Sequence, residues 1–259
     1  MQYAVCANGA SVYRLGDERP LVSEHMTRGD ALACYDMLAR FKPAWNGFFD
    51  GKAYFEWKGA SYLLTGRTGA VARANRSTDR CGAKRQKRTA IGRVLNVGWR
   101  GMRYLGRMIG GGKTRQVFSL RRCLLRAHGD IEKIGCTIPD SRSCAQAAEL
   151  LRADGRFEVV SMGTTELEIT ARGVSKGTGT QALLHELGVG PERAVAFGDG
   201  GNDLPLAAVV GRFVAMGNAD DEVKDAAFEV CPSVLDDGVA IWIENMLAAG
   251  GLEEGRRYV

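Results

Sequence analysis

The chain has little of what marks several protein classes. Of its 259 residues only six are proline and three are histidine, and no C-x-x-C pair occurs among its seven cysteines. Cys6, Cys34, Cys81, Cys123, Cys136, Cys144 and Cys231 are odd in number and scattered, which argues against a disulfide framework and against a zinc site. His25, His128 and His185 share no metal-ligand spacing, so structural roles are expected for them. No run approaches the roughly eighteen apolar residues of a membrane span, and the opening MQYAVCANGA has no basic stretch leading an apolar one. These absences predict a globular chain that works in the cytoplasm without a membrane partner. With 45% hydrophobic residues it can bury one large core or two small ones.

The net charge of +5 hides an asymmetry. Residues 67–126 carry 17 basic side chains against one acid, Asp79, a local charge of +16, so the rest of the chain stands at −11. Such a block fits an anionic partner, whether phosphate ester, nucleic acid or membrane surface, and equally fits a solvated face. Within it, Gly110-Gly111-Gly112-Lys113-Thr114 imitates a phosphate loop, but Arg107 stands where a Walker loop needs glycine.

Patterning divides the chain. Tyr3–Ala7 and Ala10–Tyr13 flank Asn8-Gly9 and predict two short strands about a turn. Met26, Leu32, Tyr35, Met37, Leu38 and Phe41 are spaced for a helix within 22–42, started near Thr27 or Asp30 and stopped before Pro43. Short strands with turns at Asp50-Gly51 and Gly59 follow to Leu64, then a possible helix over 91–109. The residues 131–138, 157–162 and 166–170 alternate as strands around a helix at 141–153. After Gly173 the grammar becomes α/β. Helices are predicted over 176–187, 202–210, 220–226 and 239–247, and strands over 194–197, 213–216 and 228–231, which predicts a parallel, helix-covered sheet.

The sharpest local signal is Gly198-Asp199-Gly200-Gly201-Asn202-Asp203, between an apolar strand and a helix. Ligands of open α/β sheets bind at such strand ends, and two carboxylates with an amide offer hard oxygen ligands for Mg²⁺. The same residue types also make ordinary helix caps and turns. Upstream, Ser175-Lys176-Gly177 opens a helix whose lysine can meet a phosphoryl group as a point charge, and a solvated surface lysine is the alternative. Met216-Gly217-Asn218-Ala219 and Asp236-Asp237-Gly238-Val239 complete an ordered series on successive element ends.

In that order these motifs resemble the Cof-type phosphatases of the haloacid dehalogenase superfamily, over about residues 1–20 and 128–250, with Asn8-Gly9-Ala10 similar to the turn before their cap domain. The resemblance implies an α/β fold: a Rossmann-like parallel-sheet core from 1–20 and 173–259, and an inserted α+β cap over 21–172 that closes on the substrate and chooses it. It implies Lys176 as the lysine that stabilises the transferring phosphoryl group and Asp199 as a Mg²⁺ ligand, with Asp203 supporting the metal from a second shell or through water. Asn202 would orient phosphate or the nucleophile, and Asn8 and Asn218 would line the rim.

Family members begin with a strand ending in Asp-x-Asp-Gly, which supplies nucleophile and general acid-base; no such run occurs here, so no nucleophile can be assigned. The expectation is a miscalled start or truncated gene, and a chain that as given does not turn over. The expected function is Mg²⁺-dependent hydrolysis of a small phosphorylated metabolite such as a sugar phosphate. A binding module working through the basic segment, and a phosphomutase or sucrose-phosphatase-like enzyme, stand as alternatives.

Overall fold

The computed structural model describes residues 2–17, 19–56, 114–129 and 131–248. The chain falls into two compact units, one built from Met1–His25 with Thr170–Val259 and the other from Met26–Ile169. The expected helix over 91–109, the turn at Gly59, Cys81, and residues 67–113 of the basic segment lie outside the described residues.

The first unit opens with β1 (Tyr3–Cys6) and β2 (Ser11–Arg14), antiparallel with Cys6 opposite Ser11. The Asn8-Gly9 turn joins them, with φ of 57° at Asn8 and 100° at Gly9. A two-residue β3 (Val22–Ser23) adds to the far side of β2. His25, placed against the Ser11 and Ser23 hydroxyls, ends this segment.

In the second unit, Thr27 caps α1 (Arg28–Leu38) by accepting the Asp30 N–H at 3.1 Å, and Ala31, Cys34 and Leu38 form its buried stripe. A six-stranded sheet follows. Strand β4 (Ala44–Phe49) turns through Asp50-Gly51, both at positive φ, into β5 (Lys52–Glu56), the backbone a tight hairpin needs. The remaining strands are β6 (Thr114–Val117), β7 (Ile131–Thr137), β8 (Phe157–Met162) and β9 (Glu166–Ala171), in the order β6-β5-β4-β7-β9-β8. Helices α2 (Leu120–Leu125) and α3 (Ser141–Asp154) add Leu120, Leu124, Ala147, Ala148 and Leu151 to the core, with Trp45, Phe49, Ile134 and Ile169 from the strands. Arg121, the one residue of the basic segment in an ion pair among the described residues, meets Asp36 at 2.8 Å.

The chain then returns to the first unit. Helix α4 (Lys176–Leu187) leads to β10 (Val195–Gly198), and β11 (Arg212–Ala215) and β12 (Glu229–Val230) extend a parallel sheet in the order β10-β11-β12. Helices α5 (Asp221–Ala226) and α6 (Gly238–Ala248) complete it. Strands alternating with helices give the expected α/β class. One expected element differs: 202–210 is a 3-10 helix over Gly201–Ala208. Pro205 has no N–H to donate and its ring crowds the preceding turn, so the segment takes the tighter winding.

Among the described cysteines, Cys34, Cys136, Cys144 and Cys231 are buried thiols outside any disulfide. Burial pushes the Cys34 thiol up to about 12, far from the thiolate form that reacts or binds metal.

Candidate phosphate site

The expected residues Lys176, Asp199, Asn202, Asp203, Asn218 and Asn8 all fall in the unit built from 1–25 and 170–259. Four of them are joined through side chains. The Asp203 carboxylate is the hub: Oδ1 accepts from Lys176 Nζ at 2.5 Å, and Oδ2 accepts the N–H groups of Asp199 at 3.0 Å and Gly200 at 3.2 Å. Asp199 in turn receives Asn218 Nδ2 on its Oδ2 at 3.4 Å. Asn218 Oδ1 accepts the N–H of Val234 at 2.9 Å, tying in the turn that leads to Asp236-Asp237-Gly238.

Local structure explains each placement. Ser175 caps α4, accepting the Thr178 N–H while Thr178 Oγ1 accepts the Ser175 N–H, so the helix begins at Lys176 with the positive end of its dipole at this turn. Two glycines set how closely this helix approaches its neighbours. A Cβ on Gly179 would lie 2.6 Å from the Gly9 Cα, and one on Gly177 would lie 2.4 Å from the Pro205 carbonyl oxygen. Gly9 answers with its own constraint, since a Cβ there would meet the Ser175 carbonyl oxygen. The first turn of α4 is thus gripped between the Asn8-Gly9 turn and the Pro205 segment, backbone against backbone. Asp199 stands at the carboxyl end of β10, and Gly198 leaves room for the Asp203 side chain, whose Cβ a side chain at 198 would strike at 2.5 Å. The carbonyl of Asp199 accepts the Asp220 N–H, and the Met216 N–H bonds to Gly198, so the loops after β10 and β11 are stitched together.

Electrostatically the four side chains divide. Asp203 is spent inside the protein, its side chain 8% exposed, and serves to pin the loop and the lysine. Lys176 is 33% exposed and keeps donors for an incoming anion. Asp199 is exposed, with a carboxylate oxygen beyond the one Asn218 touches. Asn202 is half-buried, its amide oxygen folded toward Gly200. Among the described residues no three His, Cys, Asp or Glu side chains gather as a metal cluster. Asp199 offers one exposed hard carboxylate, a donor of the kind Mg²⁺ takes in a coordination sphere it commonly completes with water and substrate phosphate. The arrangement as a whole offers a cation, a helix N-terminus and one exposed carboxylate at adjoining element ends, which suits a phosphate monoester.

The sequence reading passed over the glycine grip and Val234. The signal for the first was available: Gly177 and Gly179, two apart in the opening turn, spend helix propensity in a way that only close approach explains. Val234 contributes a backbone group, which no side-chain pattern reveals.

Comparison with known proteins bears on the family and the fold. A family model described as haloacid dehalogenase-like hydrolase matches residues 118–243. The 5-amino-6-(5-phospho-D-ribitylamino)uracil phosphatase YcsE of Bacillus subtilis is 33% identical over 108 residues, 42% of this chain and 43% of that protein. An uncharacterized protein of the pdhA 5′ region of Geobacillus stearothermophilus is 36% identical over 83 residues, 32% of this chain and 87% of that one. The solved structure of a haloacid dehalogenase-like hydrolase from B. subtilis superposes with a TM-score of 0.74 at 21% identity, covering 93% of this chain and 78% of that one. This chain thus spans about two fifths of the length of YcsE. With motif order, sheet topology and family model in agreement, the chain belongs to the haloacid dehalogenase-like hydrolases.

Proposed function

We propose that this chain carries the phosphate- and metal-holding part of a Mg²⁺-dependent phosphatase acting on a small phosphorylated metabolite such as a sugar phosphate. The supporting observation is the Asp203 hub, which holds Lys176 and the Asp199 backbone from one buried carboxylate. Lys176 Nζ would neutralise the phosphoryl oxygens, and the first-turn N–H groups of α4 would add hydrogen bonds to them. Asp203 keeps the ammonium fixed in place, so little reorganisation is needed when the phosphate arrives. Asp199 would hold Mg²⁺, with its carboxylate braced by Asn218; the ion would supply further neutralisation of charge on the phosphoryl group. Asn202 would orient the phosphate, and Asn8 and Asn218 are assigned to the rim of the same site. YcsE is named for a phosphorylated ribityl compound, which supports a phosphorylated small molecule here. The unit from Met26 to Ile169 is assigned the choice of substrate.

The 259 residues contain no Asp-x-Asp-Gly run, so the steps assigned to them are binding and charge neutralisation. Calorimetric titration of this chain with inorganic phosphate in Mg²⁺ tests the reading. Lys176→Ala and Asp199→Asn are each expected to weaken binding at least tenfold, the worth of about 1.4 kcal/mol, and loss of the Mg²⁺ dependence is expected in Asp199→Asn alone. Equal phosphate affinity in the parent and both variants would sink it.

A further inference from the structure

The loop that the Asn218 amide ties to Asp199 carries two large apolar side chains in the open. Val234 is 61% exposed and Leu235 is 75% exposed. Their position is fixed by the backbone. Gly217 donates its N–H to Pro232, and a Cβ on Gly217 would come 2.8 Å from the Ser233 nitrogen, so the loop lies flat against the turn after β11. The Ser233 carbonyl accepts from both Asp236 and Gly238, Ser233 Oγ accepts the Leu235 N–H, and residues Val234–Asp236 wind as one 3-10 turn. Two hydrogen bonds, Val234 N–H to Asn218 and Asn218 to Asp199, join this turn to the carboxylate of the phosphate site.

The backbone that carries this apolar pair is already hydrogen-bonded beside the anion site, so a contact there does not have to order the loop. We infer that Val234 and Leu235 form an apolar lip of the phosphate site and contact the carbon part of the ester. The substrate class that follows is a phosphate monoester whose organic group has an apolar or aromatic face near the phosphorus. Asp236 and Asp237, both exposed beside the lip, disfavour a second anionic group at that end. This inference rests on the phosphate-site reading above.

Methylphosphonate and phenylphosphonate, which resist hydrolysis and differ only in the apolar group, separate the two. Calorimetric titration of the parent chain in Mg²⁺ is expected to show phenylphosphonate bound about tenfold more tightly, the effect of covering roughly 50 Å² of apolar surface. In Leu235→Ser and in Val234→Ser that preference should fall toward unity while methylphosphonate affinity stays at the parent value. An undiminished preference in both variants would overturn the lip. So would a change in sedimentation behaviour of Leu235→Ser with the preference intact, which would make the patch a protein contact. Failure of the parent to bind methylphosphonate would remove the phosphate site itself, and the lip with it.

Discussion

Helices α3 and α4 are near each other in length and both end on a glycine in the left-handed region, Gly155 and Gly188, yet they are held by different means. Helix α3 buries Cys144, Ala147, Ala148 and Leu151, the i, i+3, i+4, i+7 stripe of an amphipathic helix. Helix α4 buries Gly177, Gly179 and Leu184, and its first turn is located by main chain meeting main chain. A stripe of side chains fixes where a helix lies on its core and tolerates small repacking. A glycine contact fixes where the helix begins, which is what a lysine at its first position requires. The helix with the weaker apolar stripe is the one to which the phosphate site is assigned in the proposed function.

The comparison breaks most sharply at Gly179. A valine there must displace either the Gly9 backbone or Val5, whose Cγ1 would lie 2.9 Å from the new Cβ. The gain in helix propensity is only about 0.4 kcal/mol, because β-branched valine is itself a poor helix former, and the overpacking is expected to outweigh it with a net loss of about 2 kcal/mol or more. Because the contact sets the position of Lys176, phosphate affinity should fall with stability, and calorimetric titration alongside denaturant unfolding reads both. Leu151→Ala in α3 is the counterpart. It should cost about 3 kcal/mol in the unfolding of its own unit while leaving phosphate affinity at the parent value. If the two variants fail alike in binding, the distinction between the helices is lost.

The smallest effect refines the edge of α3. Just beyond its end, Arg156 bonds Asp154 at 2.6 Å and Asp30 of α1 at 2.8 Å. The Arg156 guanidinium holds the Asp154 carboxyl below its usual range, and the Thr27 hydroxyl, followed by Arg156, does so for Asp30. A carboxylate with a lowered folded-state pKa stabilises the fold above the unfolded value, near 3.9, and loses that contribution as pH falls through the lowered value. Arg156→Ala should therefore lie below the parent in thermal stability at neutral pH, with the two curves converging on acidification below about pH 4. A constant gap across that range would show that the arginine acts through packing instead.

Much of this was legible in the sequence because it depends on local rules. Thr27 at a cap, Asp50-Gly51 at a hairpin and the alternation of 157–162 each state their structure within a few residues, and the structure follows them. The order of Lys176, Asp199 and Asn218 was legible for the same reason, since each sits at an element end marked by glycine. The Gly201–Ala208 segment was misread as an ordinary helix although Pro205 was in plain view, because its apolar spacing outweighed one residue. What Asp203 touches was beyond local reading. Its carboxylate is committed to Lys176, twenty-seven positions earlier, and to two amides of its own loop. A residue type suited equally to metal, cap and ion pair discloses its partner only in three dimensions. The exposure of Val234 and Leu235 was hidden for the converse reason, as apolar residues before a helix read like any element boundary.

The hairpin of β4 and β5 also bears on how the chain assembles. Its strands meet across two residues, so it can form on the microsecond timescale of isolated hairpins. The other edge of β4 pairs with β7, Trp45 standing opposite Cys136, and that pairing must await the meeting of segments far apart along the chain. The hairpin is therefore expected to form early and the β4–β7 pairing, of high contact order, to form late. During that interval the β7-facing edge of β4, with Trp45 and Phe49, is an unpaired apolar strand, the species most prone to join a neighbouring molecule. Refolding yield should then be limited by protein concentration before it is limited by final stability.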